Sequence, residues 1–232
     1  MLVPGILEKR WEYIEDKIEV AYNRSQYAGD IKKIQIDICD GIYVKNNTWS
    51  PVINSAENKI LINTLIERGL PHWEDFHYEA DLMVSDLKSH IEKISELGFS
   101  FVILHTEDLE YMKEMVAYAN SYMLSVGIAS RDIGVIVSYL DFIKENKDCD
   151  IDFVQIMGIK EIGRQGEAFD EGTIENIKLI KDKISSMNDN INMSDKIKIQ
   201  IDGAMNDYTI ELCMAAGATD FVQGSAYFKI HE

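Results

Sequence analysis

Two acidic side chains set the chemistry that this chain can attempt. Asp37 closes the stretch Ile34-Gln35-Ile36-Asp37, and Asp202 closes an identical tetrapeptide, Ile199-Gln200-Ile201-Asp202, near the other end of the chain. Each stretch alternates with period two, as a strand does, and glycine follows at Gly41 and Gly203. Strands that each deliver a carboxylate at the carboxyl end could aim a pair of acids into one pocket. Such a pair can serve as base and acid on opposite faces of a substrate carbon. The same letters also describe two ordinary strands stopped by Asp-Gly turns, and that plainer reading stands beside the first.

Abstracting a proton next to a carbonyl requires something to stabilise the enediolate, and a divalent metal is the usual device. Asp81 offers an oxygen ligand alongside Asp37 and Asp202, and Gln35 offers a weaker amide oxygen. His105 is a further candidate, equally readable as a satisfied histidine at a strand end. Met83, Met157 and Cys39 read as a soft apolar wall, with core filling the simpler explanation. A second chemistry is written in glycines. Gly203-Ala204, Gly224-Ser225 and the loop Gly163-Arg164-Gln165-Gly166 can bring backbone N–H groups, a hydroxyl and a cation to a phosphate.

The elements that must position these groups follow from periodicity. Strands are predicted over 1–7, 34–38, 79–84, 101–105, 124–128, 152–157, 197–201 and 219–223. Helical spacing fills the intervals over 9–27, 56–68, 85–97, 108–120, 132–145, 173–186 and 207–216, and a short helix opens at Gly224. Ser85 is the expected cap of the third helix. Long loops run from Asp40 to Ser55 and from Gly158 to Asp170, and loops of that length are usually functional. No hairpin signal separates the strands, so eight strand–helix units predict an α/β fold, a (β/α)8 TIM barrel of one domain over residues 1–232. A doubly wound open sheet is the alternative, but no Gly-x-Gly-x-x-Gly follows the first strand. In a barrel the chemistry sits at the carboxyl ends of the strands, where Asp37, Asp81, His105, Met157 and Asp202 fall.

Bulk properties narrow the partners. With 232 residues and 46% hydrophobic content the chain can bury a sizeable core. A net charge of −17 argues against nucleic acid or an anionic membrane, and it obliges an anionic substrate to find local donors. Three dispersed cysteines, Cys39, Cys149 and Cys213, form no metal-type pair and fit a reducing compartment. The charged Glu8-Lys9-Arg10 after the apolar start is unlike a signal peptide, and no apolar run reaches membrane-spanning length. A cytoplasmic protein is expected.

Taken in order, Val3-Pro4-Gly5-Ile6-Leu7, Asp37-Ile38-Cys39-Asp40-Gly41, Asp81-Leu82-Met83-Val84, His105-Thr106-Glu107, the loop 163–169, Ile201-Asp202-Gly203 and Gly224-Ser225-Ala226-Tyr227-Phe228 resemble the ribulose-phosphate 3-epimerase family over residues 3 to 228. The resemblance implies a ribulose-phosphate-binding barrel that inverts C3 of a phosphorylated ketose, ribulose 5-phosphate to xylulose 5-phosphate or a related sugar phosphate. It implies Asp37 and Asp202 as the proton-transfer pair, a divalent ion on the substrate oxygens, and a homodimer or larger homo-oligomer. The departures are specific. Gln35 and Asp81 stand where the family carries its two histidine ligands, Cys39 replaces a methionine, Gly5 and Glu8 replace serines, and the loop from Gly163 to Glu167 differs from Gly-Phe-Gly-Gly-Gln. An all-oxygen set remains for a divalent metal (Mg²⁺ or Mn²⁺ in preference to Zn²⁺), or for none. The alternative function is a sugar-phosphate-binding protein that has lost turnover. A barrel decarboxylase or aldolase fits poorly, because no lysine at a strand end suits a Schiff base and no Asp-x-Lys pair lies beside Asp81.

Overall fold

Parallel pairing runs unbroken around eight strands and returns to the first, giving a closed barrel in sequence order. The computed structural model describes residues 1–28, 31–146, 150–187 and 197–229, so Cys149 lies outside the described residues. The strands are β1 (Leu2–Ile6), β2 (Lys33–Cys39), β3 (His77–Met83), β4 (Phe101–His105), β5 (Ser125–Ala129), β6 (Phe153–Met157), β7 (Lys198–Asp202) and β8 (Asp220–Gln223). The helices are α1 (Trp11–Ala28), α2 (Ala56–Arg68), α3 (Leu87–Glu96), α4 (Leu109–Ser121), α5 (Ile133–Asn146), α6 (Gly172–Ser185), α7 (Asp207–Ala216) and α8 (Ser225–Phe228). The predicted (β/α)8 barrel is thus the observed one. No helix among the described residues is long and apolar enough to cross a membrane.

Period two has a different meaning here from a half-buried sheet, because both faces of β2 are covered. Ile34, Ile36 and Ile38 point outward into the main core beneath the helices, with Ile14, Ile18, Leu82 and Leu104. Gln35, Asp37 and Cys39 occupy the alternate positions, inside the barrel. Each inward position is matched by register to a neighbour: Gln35 pairs with Glu79, Asp37 with Asp81, Gln155 with Gln200, and Met157 with Asp202. A small apolar plug of Ile103, Ala129 and Phe153 fills one side of the interior. Gly127 makes room for it, since a Cβ there would sit 2.3 Å from the Phe153 ring. Most of the remaining inward positions are polar.

The loops at the carboxyl ends are tied to the strands and to each other. Thr48 clamps the end of β2, donating to the Asp37 carbonyl at 2.7 Å and accepting from the Cys39 amide at 2.8 Å. Asn46 reaches across to the Gly163 carbonyl at 2.9 Å, joining the loop after β2 to the loop after β6. The start of α3 differs from expectation. The cap of α3 is Asp86, whose side chain accepts from the Ser89 amide, whereas Ser85 donates through its amide and hydroxyl to Asp40. A carboxylate beside two donors served that loop better than a helix start.

Candidate active site

The sequence placed Asp37 on β2, Asp81 on β3 and Asp202 on β7, and the barrel brings all three together. One carboxylate oxygen from each lies within 4.8 Å of the others, at the carboxyl-end mouth. Asp81 is fully buried and is braced from two sides, by His105 Nε2 at 2.6 Å and by Gln155 Nε2 at 3.2 Å. His105 is therefore engaged as the partner of Asp81, and the tautomer with its proton on Nε2 satisfies that contact. Asp37 and Asp202 keep partial access to a cavity of about 330 Å³. Between them sits the Gln35 amide, which donates from Nε2 to Asp37 at 2.7 Å and to Asp202 at 3.2 Å.

Gln35 thus meets the acids through its nitrogen, whereas a ligand role would call for its oxygen. Its oxygen points away from the acids, toward the Gln200 amide nitrogen at 3.3 Å. The amide nitrogen facing the carboxylates carries no lone pair for a cation, so Gln35 is a donor to this site.

Burial raises the proton affinity of both Asp37 and Asp202. For Asp37 the direction is well upward, caused first by desolvation and then by the charges of Asp202 and Asp81, with the Gln35 hydrogen bond opposing. Asp202 is pushed up to about 7, first by desolvation and then by Asp81, with Gln35 and His105 opposing. Near neutrality this pair holds a proton that ordinary carboxylates would have lost. The stability consequence has a defined sign. Asp202 is raised above its ordinary 3.8, so between about pH 4 and 7 the native state retains a proton that the unfolded chain releases, and stability drains away as pH rises through that window. Asp202→Asn is expected to flatten that slope and to raise stability at pH 8 by roughly 2 kcal/mol, or about 4–8 °C in Tm, measured on chelator-treated protein.

Three converging carboxylates also meet the chemistry of a hard divalent cation. The donors are all oxygen, they are crowded enough to repel one another, and His105 is turned to Asp81 and stays out of the set, which suits Mg²⁺ or Mn²⁺.

The rest of the cavity is the glycine cradle. Its lining includes Gly5, Met83, Met157, Gly163, Arg164 and Gly166, together with Gly203, Ala204, Asn206, Gly224, Ser225 and Lys229. Gly203 has φ +109° and Ala204 φ +56°, which turn the chain sharply after β7. Arg164 reaches the cavity, but its guanidinium pairs with Glu161 at 2.7 Å. Lys229 was absent from the sequence expectation, and Gln165 figured there only as part of its loop. Gln165 Nε2 lies 2.8 Å from where a Cβ on Gly224 would be, so this glycine lets the loop after β6 fold over the cradle. No motif spacing marks Lys229, which is brought to the cavity at the C-terminal end of α8.

The paired acids thus lie beside a glycine-lined cradle at the carboxyl-end mouth of the barrel. Residues 4–228 match the ribulose-phosphate 3 epimerase family, and the chain belongs to that family. Proteins named ribulose-phosphate 3-epimerase from Chlamydia pneumoniae and Serratia marcescens are similar to it. The first is 28% identical over 199 residues, covering 84% of this chain and 76% of that protein. The second is 25% identical over 200 residues, covering 86% and 83%. Among solved structures, phosphoribosyl anthranilate isomerase from Thermus thermophilus superposes with TM-score 0.56 at 12% identity, covering 97% of this chain and 88% of that one. A tryptophan synthase α-subunit from Pyrococcus furiosus gives TM-score 0.57 at 14% identity, covering 97% and 87%. These two likenesses concern the fold alone.

Proposed function

We propose that this protein interconverts the C3 epimers of a phosphorylated ketose, ribulose 5-phosphate and xylulose 5-phosphate or a close relative, by proton transfer between Asp37 and Asp202. The observation that carries the reading is the Gln35 amide held between two carboxylates of raised proton affinity at the edge of a cavity large enough for a sugar phosphate. Epimerisation requires one acid to arrive ionised and the other protonated, and then to exchange states. A pair that retains a proton near neutrality meets that requirement in both directions. The ionised member removes the C3 proton on one face, and the protonated member returns a proton to the other.

The phosphate is bound at the turns of Gly203-Ala204 and Gly224-Ser225, with Lys229 supplying positive charge, so that C3 lies over the acids. Met83 and Met157 form the apolar side of the cavity and limit water around the enediolate. A divalent ion held by Asp37, Asp81 and Asp202 would supply positive charge at the enediolate oxygens. Asp81 contributes as a fixed oxygen ligand, because His105 and Gln155 hold its two oxygens in place.

Gly203→Ala is expected to strike the phosphate end. The added Cβ would meet Ile159 at 2.8 Å in a backbone conformation that disfavours side chains. KM for the ketose phosphate should rise about 10–100-fold, the worth of a hydrogen bond to a charged group, with a smaller change in kcat. The function itself is tested by incubating ribulose 5-phosphate with the protein, in EDTA and then with Mg²⁺, Mn²⁺ or Zn²⁺, and following xylulose 5-phosphate by NMR. Turnover supports the epimerase. Thermal stabilisation by the sugar phosphate without turnover under any condition would replace it with the binding-protein reading.

A further inference from the structure

Beneath the three aspartates, five polar side chains fill the barrel's interior: Lys33, Gln35, Glu79, Gln155 and Gln200, none more than 4% exposed. They form one connected network. The Lys33 ammonium donates to Glu79 at 2.5 Å and to the Gln200 oxygen at 2.9 Å. The Gln200 nitrogen in turn faces three acceptors, Glu79 at 2.7 Å, the Gln155 oxygen at 2.9 Å and, at a longer 3.3 Å, the Gln35 oxygen, and its two hydrogens are shared among them. Gln35 then donates to Asp37 and Asp202, and Gln155 donates to Asp81.

The direction of every amide in this network follows from one residue. An ammonium has donors and no acceptor, so Gln200 must show it an oxygen. The Gln200 nitrogen is thereby turned toward Gln35 and Gln155, each of which must answer with its oxygen. Each then has only its nitrogen left for the acids. Were either amide reversed, nitrogen would face nitrogen at Gln200 and oxygen would face carboxylate at the mouth.

We propose that Lys33 and Gln200 are positioning residues that act through Gln35 and Gln155, polarising both amides so that their N–H groups hold the three aspartates in working geometry. The catalytic part of this rests on the epimerase reading above. Neither residue reaches the cavity, so their effect falls on turnover rather than on substrate binding. The same polarity keeps amide oxygens away from the mouth and so limits the site's affinity for a cation.

The sharpest test exchanges two neighbours, Glu79→Gln with Gln200→Glu. The swap keeps net charge, volume and an anionic partner for Lys33, but residue 200 now presents only acceptors, so Gln35 and Gln155 must turn their nitrogens inward and their oxygens to the aspartates. Turnover should fall about 100-fold with KM within twofold, the penalty of slightly misplaced catalytic groups. Mn²⁺ affinity, read by electron paramagnetic resonance in the absence of substrate, should rise about 10–100-fold, the range over which partners behind the ligands tune a metal site. Unchanged Mn²⁺ affinity would overturn the proposal, whatever happens to turnover. Should the parent fail to turn over any ketose phosphate while the swap still strengthens Mn²⁺ binding, the network stands and the epimerase reading falls. If the swap does not fold, Gln200→Met removes both poles of the same amide; a kcat loss of about tenfold at constant KM supports the proposal, and an unchanged kcat overturns it.

Discussion

Asp37→Asn lowers the rate of C3 epimerisation by about 10²–10⁴-fold, the contribution of a positioned general acid or base, while leaving the barrel intact. Asparagine matches the carboxyl group in shape, and its oxygen can still accept from Gln35, which now donates to Asp37 at 2.7 Å. What disappears is the group that gains and loses a proton. Because burial and the neighbouring charges of Asp202 and Asp81 already make the Asp37 carboxylate costly, the variant should be no less stable than the parent at pH 8. Steady-state kinetics and thermal unfolding on one preparation check both halves. A variant with full activity removes Asp37 from the chemistry, and one that is inactive because unfolded identifies it as structural.

Lys33→Met produces the largest expected loss of stability. The lysine ammonium lies over the rings of Phe101 and Phe153, with Nζ 5.0 and 4.9 Å from their centres, a cation–π contact that methionine can replace only with a weaker sulfur–aromatic one. The ion pair with Glu79 cannot be kept. Burial already raises the Glu79 proton affinity, and Lys33 opposes that rise through its charge and hydrogen bond. Removing one partner of a buried pair typically costs about 3–5 kcal/mol, which for a chain of this size is roughly 6–20 °C in Tm. The deficit should shrink toward pH 4.5, where Glu79 takes up a proton in the variant, and adding Glu79→Gln should recover part of it. Thermal unfolding of the single and double variants between pH 4.5 and 8 decides it. A Tm within 2 °C of the parent at pH 8 would show that the pair contributes little.

The barrel was legible because each strand–helix unit repeats the same signals, and the register that sets Asp37 beside Asp81 follows once parallel pairing is accepted. The acids were legible for a related reason, since carboxyl ends of barrel strands converge on one mouth. Polarity inside the barrel was harder to read. Lys33 was left outside the predicted second strand, and its partners Glu79 and Gln200 lie 46 and 167 residues away. The repeated Ile-Gln-Ile-Asp tetrapeptide held a clue to this: Gln35 and Gln200 occupy the same place in each copy and meet inside the barrel. His105 was readable as a candidate but its service to Asp81 was not, because 24 residues separate a pair that only the β3–β4 register brings together. The Gln35 amide shows the limit most clearly. A sequence states that an amide is present, and only its neighbours decide which end faces the acids.

The most direct test of two opposed acids is the early isotope pattern at C3 of ribulose 5-phosphate turned over in D₂O. Each acid serves one face, so the epimeric product should carry deuterium at C3 from its first appearance, while recovered substrate retains its original hydrogen. Deuterium appearing equally in product and recovered substrate, or product retaining hydrogen carried across from the other face, would contradict a transfer shared between Asp37 and Asp202.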